Sequence, residues 1–216
     1  MKTRAVFFDF DGTLIDSMPA HVSAWANILG EIGIHLEDTY FQMNEGEKAE
    51  DTISRLLGEN GMSYTEEQLF ALIEKKRRLY RTMAPMGLIP EARVMLDQLL
   101  SKGVALDIVT GSIRSNIEAV LSEDEMNLFR NIVTPTEYRK GKPDPDPYLT
   151  ALKLSGLLPG ECAVLENAPL GIRSARAAGL TTVAITTTLP PKFLSEATHV
   201  IHRFEDFLPL LQEGRV

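Results

Sequence analysis

The sequence predicts an α/β fold, a doubly wound parallel sheet carrying a small inserted α-helical domain, and three observations predict it. From Pro85 onward strand-like and helical signals alternate, the pattern of a parallel sheet with crossover helices. Between the first strand and Val104 only helical patterns occur. The first strand runs into Phe7-Phe8-Asp9-Phe10-Asp11-Gly12-Thr13, two carboxylates one residue apart and then a glycine turn.

Each element follows from its own residues. Trp25, Ile28, Leu29 and Ile32 keep the i, i+3, i+4, i+7 spacing of one helix face, and Gly33 supplies a stop. Ile53, Leu56 and Leu57 form a shorter stripe before Gly58. Thr65 followed by Gln68 resembles a capping box, with Leu69, Leu72, Ile73, Leu79, Tyr80 and Met83 as the buried face of a long helix beyond it. Pro90 opens a helix through Leu100 that Gly103 ends. Val104 to Thr110 reads as a buried strand, Ile113 to Leu121 as a helix, Ile132-Val133 as a short strand and Pro147 to Leu154 as a helix. Cys162 to Leu165 and Thr181 to Ile185 are further strands, separated by a helix from near Pro169 to Gly179. Residues 1–15 and 85–216 are thus expected to form the α/β core, and residues 16–84 the helical insert.

At 216 residues, 44% of them apolar and 24% charged, the chain can bury a full core, and its composition argues against disorder. A net charge of −8 argues against a nucleic-acid surface. The compact basic run Lys75-Lys76-Arg77-Arg78 beside Glu74 reads as a solvated helix face. Cys162 is the only cysteine, which fits a reducing compartment. Lys2 and Arg4 precede apolar residues, but Asp9 interrupts the run too early for a signal-peptide core or membrane span. The expectation is a cytoplasmic protein, monomeric or a weak dimer, with no membrane or nucleic-acid partner.

In open parallel sheets ligands bind outside the carboxyl ends of the strands, so the chemistry should gather just after them. Asp9 and Asp11 follow the first strand, Thr110-Gly111-Ser112 the second and Glu166-Asn167 a later one, with Lys142 in the loop Lys140-Gly141-Lys142-Pro143-Asp144. Asp9 and Asp11, about 6.5 to 7 Å apart in an extended chain, start on one side of the strand end. Asp9 is a candidate nucleophile, since a carboxylate attacks phosphorus without a base to activate it. Both reactants are anions, and magnesium held by oxygen ligands such as Asp9, Glu166 and Asn167 removes that repulsion. Lys142 adds a point charge for the phosphoryl oxygens. Thr110 and the amides around Gly111 and Ser112 sit where a strand enters a helix and an anion can be held. Asp11 would protonate the leaving oxygen and then activate water.

Each group also has a plainer reading: an Asx turn for the first segment, a helix N-cap for Thr110-Gly111-Ser112, a surface lysine for Lys142. Their occurrence together at successive strand ends favours chemistry. His21 reads first as an exposed helix histidine, with the crevice-facing acid or ligand as the alternative. His35, His199 and His202 show no ligand spacing, and Trp25 reads as core.

These residues resemble the haloacid dehalogenase superfamily of phosphohydrolases, whose four motifs appear in order: Asp9-Phe10-Asp11-Gly12-Thr13, Thr110-Gly111-Ser112, Lys142 within Gly141-Lys142-Pro143-Asp144-Pro145, and Glu166-Asn167-Ala168-Pro169-Leu170-Gly171. The resemblance implies a Rossmann-like core and a mobile helical cap. It also implies an aspartyl-phosphate on Asp9, and Asp11 as an acid/base whose backbone carbonyl also joins the magnesium. Within the superfamily the chain looks like the β-phosphoglucomutase-like branch, which includes phosphatases and inorganic pyrophosphatases.

Two departures bear on substrate. Glu166-Asn167 stands where many relatives have Glu-Asp, so the ion loses a carboxylate. Ala49, within the acidic stretch Asn44-Glu45-Gly46-Glu47-Lys48-Ala49-Glu50-Asp51, falls where the mutases have an arginine for a distal phosphate. Glu45, brought in by closure of the cap, would restore the missing charge, the alternative being that Glu45 and Glu47 are a solvated loop. The expected activity is magnesium-dependent hydrolysis of a small phosphomonoester or pyrophosphate. Gly111, Ser112, His21 and Glu45 are the candidate substrate contacts. A β-phosphoglucomutase-like isomerase and a non-catalytic phosphate-binding protein are the alternatives.

Overall fold

The computed structural model describes residues 3–212 and Gly214; Lys2 and the other residues outside that range are not described. Among the described residues one sheet of six parallel strands has the order β3-β2-β1-β4-β5-β6. The strands are β1 (Ala5–Phe8), β2 (Ala105–Val109), β3 (Asn131–Val133), β4 (Cys162–Glu166), β5 (Thr181–Ile185) and β6 (His199–Ile201). β1 is central, with Phe8 in register with Ile108 on one side and Leu165 on the other. The chain winds outward from β1 in both directions, so the end of β1 lies at the switch in strand order, where a crevice opens.

Alternation along the strands explains why both sheet faces are covered. Val6, Phe8, Leu106, Ile108, Ala163 and Leu165 point to one face. There they pack with Ala92, Met95, Leu96 and Leu99 of α5 (Pro90–Ser101), with α6 (Arg114–Val120) and with Phe207 of α10 (Phe207–Gln212). Ala5, Phe7, Val109, Cys162 and Val164 point to the other. Their partners are Tyr148, Ala151 and Leu152 of α8 (Asp146–Ser155) and Ala175 of α9 (Pro169–Ala177). Burial on both faces accounts for the unbroken apolar runs of β1 and β4. The short α7 (Glu123–Met126) carries its own capping box, Ser122 with Glu125.

Between β1 and α5 the chain forms α1 (Met18–Gly30), α2 (Asp38–Met43), α3 (Ala49–Glu59) and α4 (Glu66–Met83). These helices bury a cluster of their own, including Trp25, Ile28, Leu29, Phe41, Ile53, Leu56, Leu57 and Ile73. Thr65 and Gln68 form the capping box that opens α4.

Several details differ from the sequence-based expectation. α3 runs through Gly58 to Glu59, since one glycine in a helix costs only about 1 kcal/mol. Met83, in the last turn of α4, is 41% exposed instead of buried. α2 and β6 were not expected, being too short to show a period. The solvated reading of the basic run fails at Lys76, which is 5% exposed. Three and four residues from Ile73 and Tyr80, it shares their inward face.

Candidate active site

Asp9 and Asp11 leave β1 on either side of Phe10, and Gly12 then bends the chain with φ +78. That turn is close-packed: a Cβ on Gly12 would lie 2.3 Å from Asn167 Nδ2. The bend separates the two carboxylates into two environments.

Asp9 points into the sheet's crevice. Its Oδ1 accepts a hydrogen bond from Lys142 Nζ at 2.6 Å, and the same ammonium donates to Glu166 Oε1 at 2.6 Å. Glu166, the last residue of β4, is fixed further by the Tyr148 hydroxyl at 2.9 Å and by the amides of Asn167 and Ala168 on Oε2. Its carboxylate rests against Gly171, where a Cβ would come within 1.6 Å of Oε1. Glu45, from the loop between α2 and α3, brings a third carboxylate, and oxygens of Asp9, Glu45 and Glu166 lie within 4.8 Å of one another.

Three buried acids around one lysine leave an excess of negative charge. Burial pushes Asp9 up to about 8, with Lys142 pulling against it and Glu166 adding to it. Burial, then Asp9 and Glu166, push Glu45 well above the usual carboxylate range. Burial disfavours the Lys142 ammonium, but Asp9 and Glu166 outweigh it and hold the lysine charged. Asp9 Oδ2 and Glu45 Oε2 are sealed from solvent with no hydrogen-bond partner. Two orphaned carboxylate oxygens in an all-oxygen cluster fit a hard divalent cation.

Asp11 turns the other way, toward the helices. Its Oδ1 accepts from Ser17 Oγ at 2.7 Å, His21 Nε2 at 2.9 Å and the Tyr80 hydroxyl at 3.3 Å, and its Oδ2 from Ser112 Oγ at 2.5 Å. Burial opposes its charge, but His21 and the serine hydroxyls outweigh that and hold Asp11 ionised below the usual range. His21 is therefore no exposed helix histidine. It stacks on Tyr80 with ring centroids 4.0 Å apart, and its Nδ1 takes the Lys76 ammonium at 2.7 Å. Burial and Lys76 lower its pKa, so a neutral imidazole accepts from Lys76 and donates to Asp11. Burial likewise lowers Lys76, to about 8.

The remaining expected residues are spread around these two centres. Thr110 is buried, its Oγ1 accepting the Ser112 amide at 2.9 Å. Gly111 faces the loop holding Glu45, and a Cβ there would meet the Gly46 carbonyl at 2.6 Å. Asn167 does not join the acidic cluster with its side chain. Its Oδ1 accepts from Thr13 Oγ1 at 3.0 Å, and its Nδ2 donates to the Asp11 carbonyl at 3.2 Å and to Thr188 Oγ1 at 3.1 Å. The Asp11 carboxylate is also turned away from that cluster. Glu47 is not solvated; Arg55 and Thr52 bind it at 2.7 and 2.8 Å.

Sequence reasoning missed Lys76, Tyr80, Tyr148 and Asn116. For Lys76 the signal was its phase on α4; for the two tyrosines it was an apolar stripe that concealed a hydroxyl. Lys48 was also missed. Its ammonium reaches the carbonyls of Arg139 at 2.6 Å and Tyr138 at 3.2 Å, tying the helical insert to the loop before Lys142.

A cavity of about 70 Å³ lies between the helices and the strand ends, bounded by Asp11, His21, Trp25, Glu45, Lys76, Ser112 and Asn116 among others. That is room for about two waters, or about three heavy atoms of a leaving group. No described helix is long and apolar enough to cross a membrane.

The profile of the family described as haloacid dehalogenase-like hydrolase matches residues 6–185. The β-phosphoglucomutase of Bacillus subtilis (strain 168) is 30% identical over 188 residues, 84% of this chain and 83% of that protein. Hexitol phosphatase A of Escherichia coli (strain K12) is 29% identical over 206 residues, covering 95% and 93%. The crystal structure of a hydrolase from Pseudomonas syringae superposes with a TM-score of 0.84 at 29% identity, over 98% of this chain and 99% of that one.

Proposed function

Since this chain belongs to the haloacid dehalogenase-like hydrolase family and is a phosphate-ester hydrolase within it, we propose that it cleaves a small phosphomonoester or pyrophosphate, with magnesium, through an aspartyl-phosphate on Asp9. The observation that carries this reading is the buried group of Asp9, Glu45 and Glu166 around Lys142, with orphaned oxygens on two of the acids. Asp9, Glu166 and Glu45 would hold the cation, with the Asp11 carbonyl as a further ligand, while the Asn167 side chain positions that carbonyl. Bound there, magnesium supplies positive charge to the carboxylates and to the phosphoryl oxygens.

The protein's own groups carry the rest. Lys142 keeps Asp9 oriented and ionisable and offers its charge to the transferring group. Asp9 attacks phosphorus as the bond to the leaving oxygen breaks, and that oxygen takes a proton from Asp11, which rests ionised in the free protein and takes up that proton as substrate binds. In the second half Asp11 accepts a proton from water, the water oxygen attacks phosphorus, and the bond to Asp9 breaks to give phosphate. The hydrogen bonds from His21, Ser17, Ser112 and Tyr80 aim Asp11, and the Lys76 ammonium fixes the imidazole tautomer. Residues 16–84 act as the cap: Glu45 and Lys48 reach the core only when it is closed, which couples cation binding to closure.

The small cavity and the acidic Glu45 favour a small leaving group over a hexose. A mutase reading draws on the Bacillus subtilis relative, but Ala49 lines the cavity without charge, and Arg77 is already paired with Glu50 and Glu74. Hydrolysis is tested by phosphate release from pyrophosphate, phosphoglycolate and hexose phosphates with magnesium, beside an Asp9→Asn control. Release abolished in the control is expected. An Asp9→Asn protein as active as the parent, or bisphosphate-dependent interconversion without release, would overturn the reading.

A further inference from the structure

One polar side chain in the cavity has no place in the machinery described so far. Asn116, in the first turn of α6, is 3% exposed and borders the cavity that Ser112 and Lys76 also line. Its Oδ1 is sealed from solvent and meets no donor. A buried amide oxygen left unpaired costs about 1–3 kcal/mol, so its retention against an apolar alternative points to a partner that arrives with the ligand.

The neighbours narrow down that partner. Ser112 Oγ donates to Asp11, and Lys76 Nζ is engaged with His21, so neither turns to Asn116. Once a ligand fills the cavity, the group that completes Asn116 is a hydrogen-bond donor on that ligand. Asp11, the acid for the ester oxygen in the reading above, lines the same cavity as Asn116, so a leaving group next to Asp11 lies in reach of that cavity. About three heavy atoms of a leaving group fit there, and a hydroxyl among them supplies the donor.

We propose that Asn116 is a specificity-determining residue that selects phosphomonoesters whose leaving group carries a hydroxyl besides the ester oxygen. This rests on the hydrolase reading above and adds a rule about substrate to it. Fully ionised, metal-bound pyrophosphate has no donor to give and leaves the Asn116 oxygen unpaired.

2-Hydroxyethyl phosphate and n-propyl phosphate test the rule, because each leaving group has three heavy atoms beyond the ester oxygen and the two differ only in a hydroxyl for a methyl. The parent protein should show kcat/KM about ten- to a hundredfold higher for the hydroxylated ester. Asn116→Leu should collapse that ratio toward one while leaving kcat/KM for n-propyl phosphate and the melting temperature near the parent's. Asn116→Asp keeps the acceptor and should retain the preference. A ratio unchanged in Asn116→Leu, or a parent with no preference for the hydroxylated ester, would overturn the role of Asn116. Absence of hydrolysis of every phosphate by the parent would instead overturn the hydrolase reading. A folding defect in Asn116→Leu shows as a lowered melting temperature, and the Asn116→Asp ratio then decides.

Discussion

Replacing Lys142 by Met keeps the length of the side chain and removes its charge, and the consequences can be worked out from the geometry. Lys142 is 1% exposed and bridges Asp9 and Glu166 at 2.6 Å each, with Glu45 close behind. Swapping a whole buried ion cluster for apolar groups is often harmless, but removing one partner leaves uncompensated charge and costs about 3–5 kcal/mol. For a chain of this size each kcal/mol moves the melting temperature by about 2–4 °C, so a fall of roughly 6–20 °C is expected in EDTA at pH 8. The pH dependence has a definite sign. Asp9 is already raised to about 8 by burial, so the folded state holds a proton that the unfolded chain gives up near pH 4. Stability from this group is present at low pH and lost as pH rises from about 4 to about 8; without Lys142 Asp9 holds its proton to higher pH, so the loss continues above 8. Thermal melts of Lys142→Met and the parent at pH 8 and 9.5 read this directly, with the gap wider at pH 9.5. A variant within about 2 °C of the parent at pH 8, or a gap that does not change with pH, would refute the electrostatic account.

Three further outcomes follow from the same cluster. Because Asp9 carries a proton below about 8, magnesium must displace it, and magnesium affinity measured by calorimetry should fall by up to about tenfold per pH unit below that value; a pH-independent affinity would contradict the proton count. Gly171→Ala would force Glu166 Oε1 away from a Cβ only 1.6 Å distant, breaking its bond to Lys142, so magnesium-induced stabilisation should be lost, and its retention would show the carboxylate free to move. Lys48→Met removes the tie to the Tyr138 and Arg139 carbonyls and should raise KM with little change in the melting temperature; an unchanged KM would mean that closure does not depend on it.

How much of this was legible in the sequence depends on what each signal encodes. β1, β2, β4 and β5 are buried on both faces, so apolar and β-branched residues dominate them and they stand out, and the polar residues that follow β1, β2 and β4 mark the crevice. β6, with three residues at the sheet's edge, does not stand out. Asp9, Lys142 and Glu166 could be listed from strand ends, but their mutual distances could not, and neither could the turn that sends Asp11 toward the helices. Lys76 was hidden by counting charge instead of phase: 73, 76 and 80 lie on one side of α4, so a buried lysine was readable from Ile73 and Tyr80. His21 needed that lysine to be recognised, since only the pair explains an inward histidine. Glu45 showed in the sequence only as one acid among several. Its approach to Asp9 depends on Gly46, with φ +85, packing against Lys142 and Gly111. Asn116 left no sequence signal at all, because an asparagine near the start of a helix resembles ordinary capping chemistry.

The attack of Asp9 on phosphorus can be caught chemically. Acid quench during turnover with magnesium and a hydrolysed substrate, followed by borohydride reduction and peptide mass spectrometry, converts an acyl phosphate to homoserine and leaves free carboxylates untouched. Homoserine at position 9 and nowhere else is the expected result; unreduced Asp9 during active turnover, or homoserine at Asp11, Glu45 or Glu166 in its place, would contradict it.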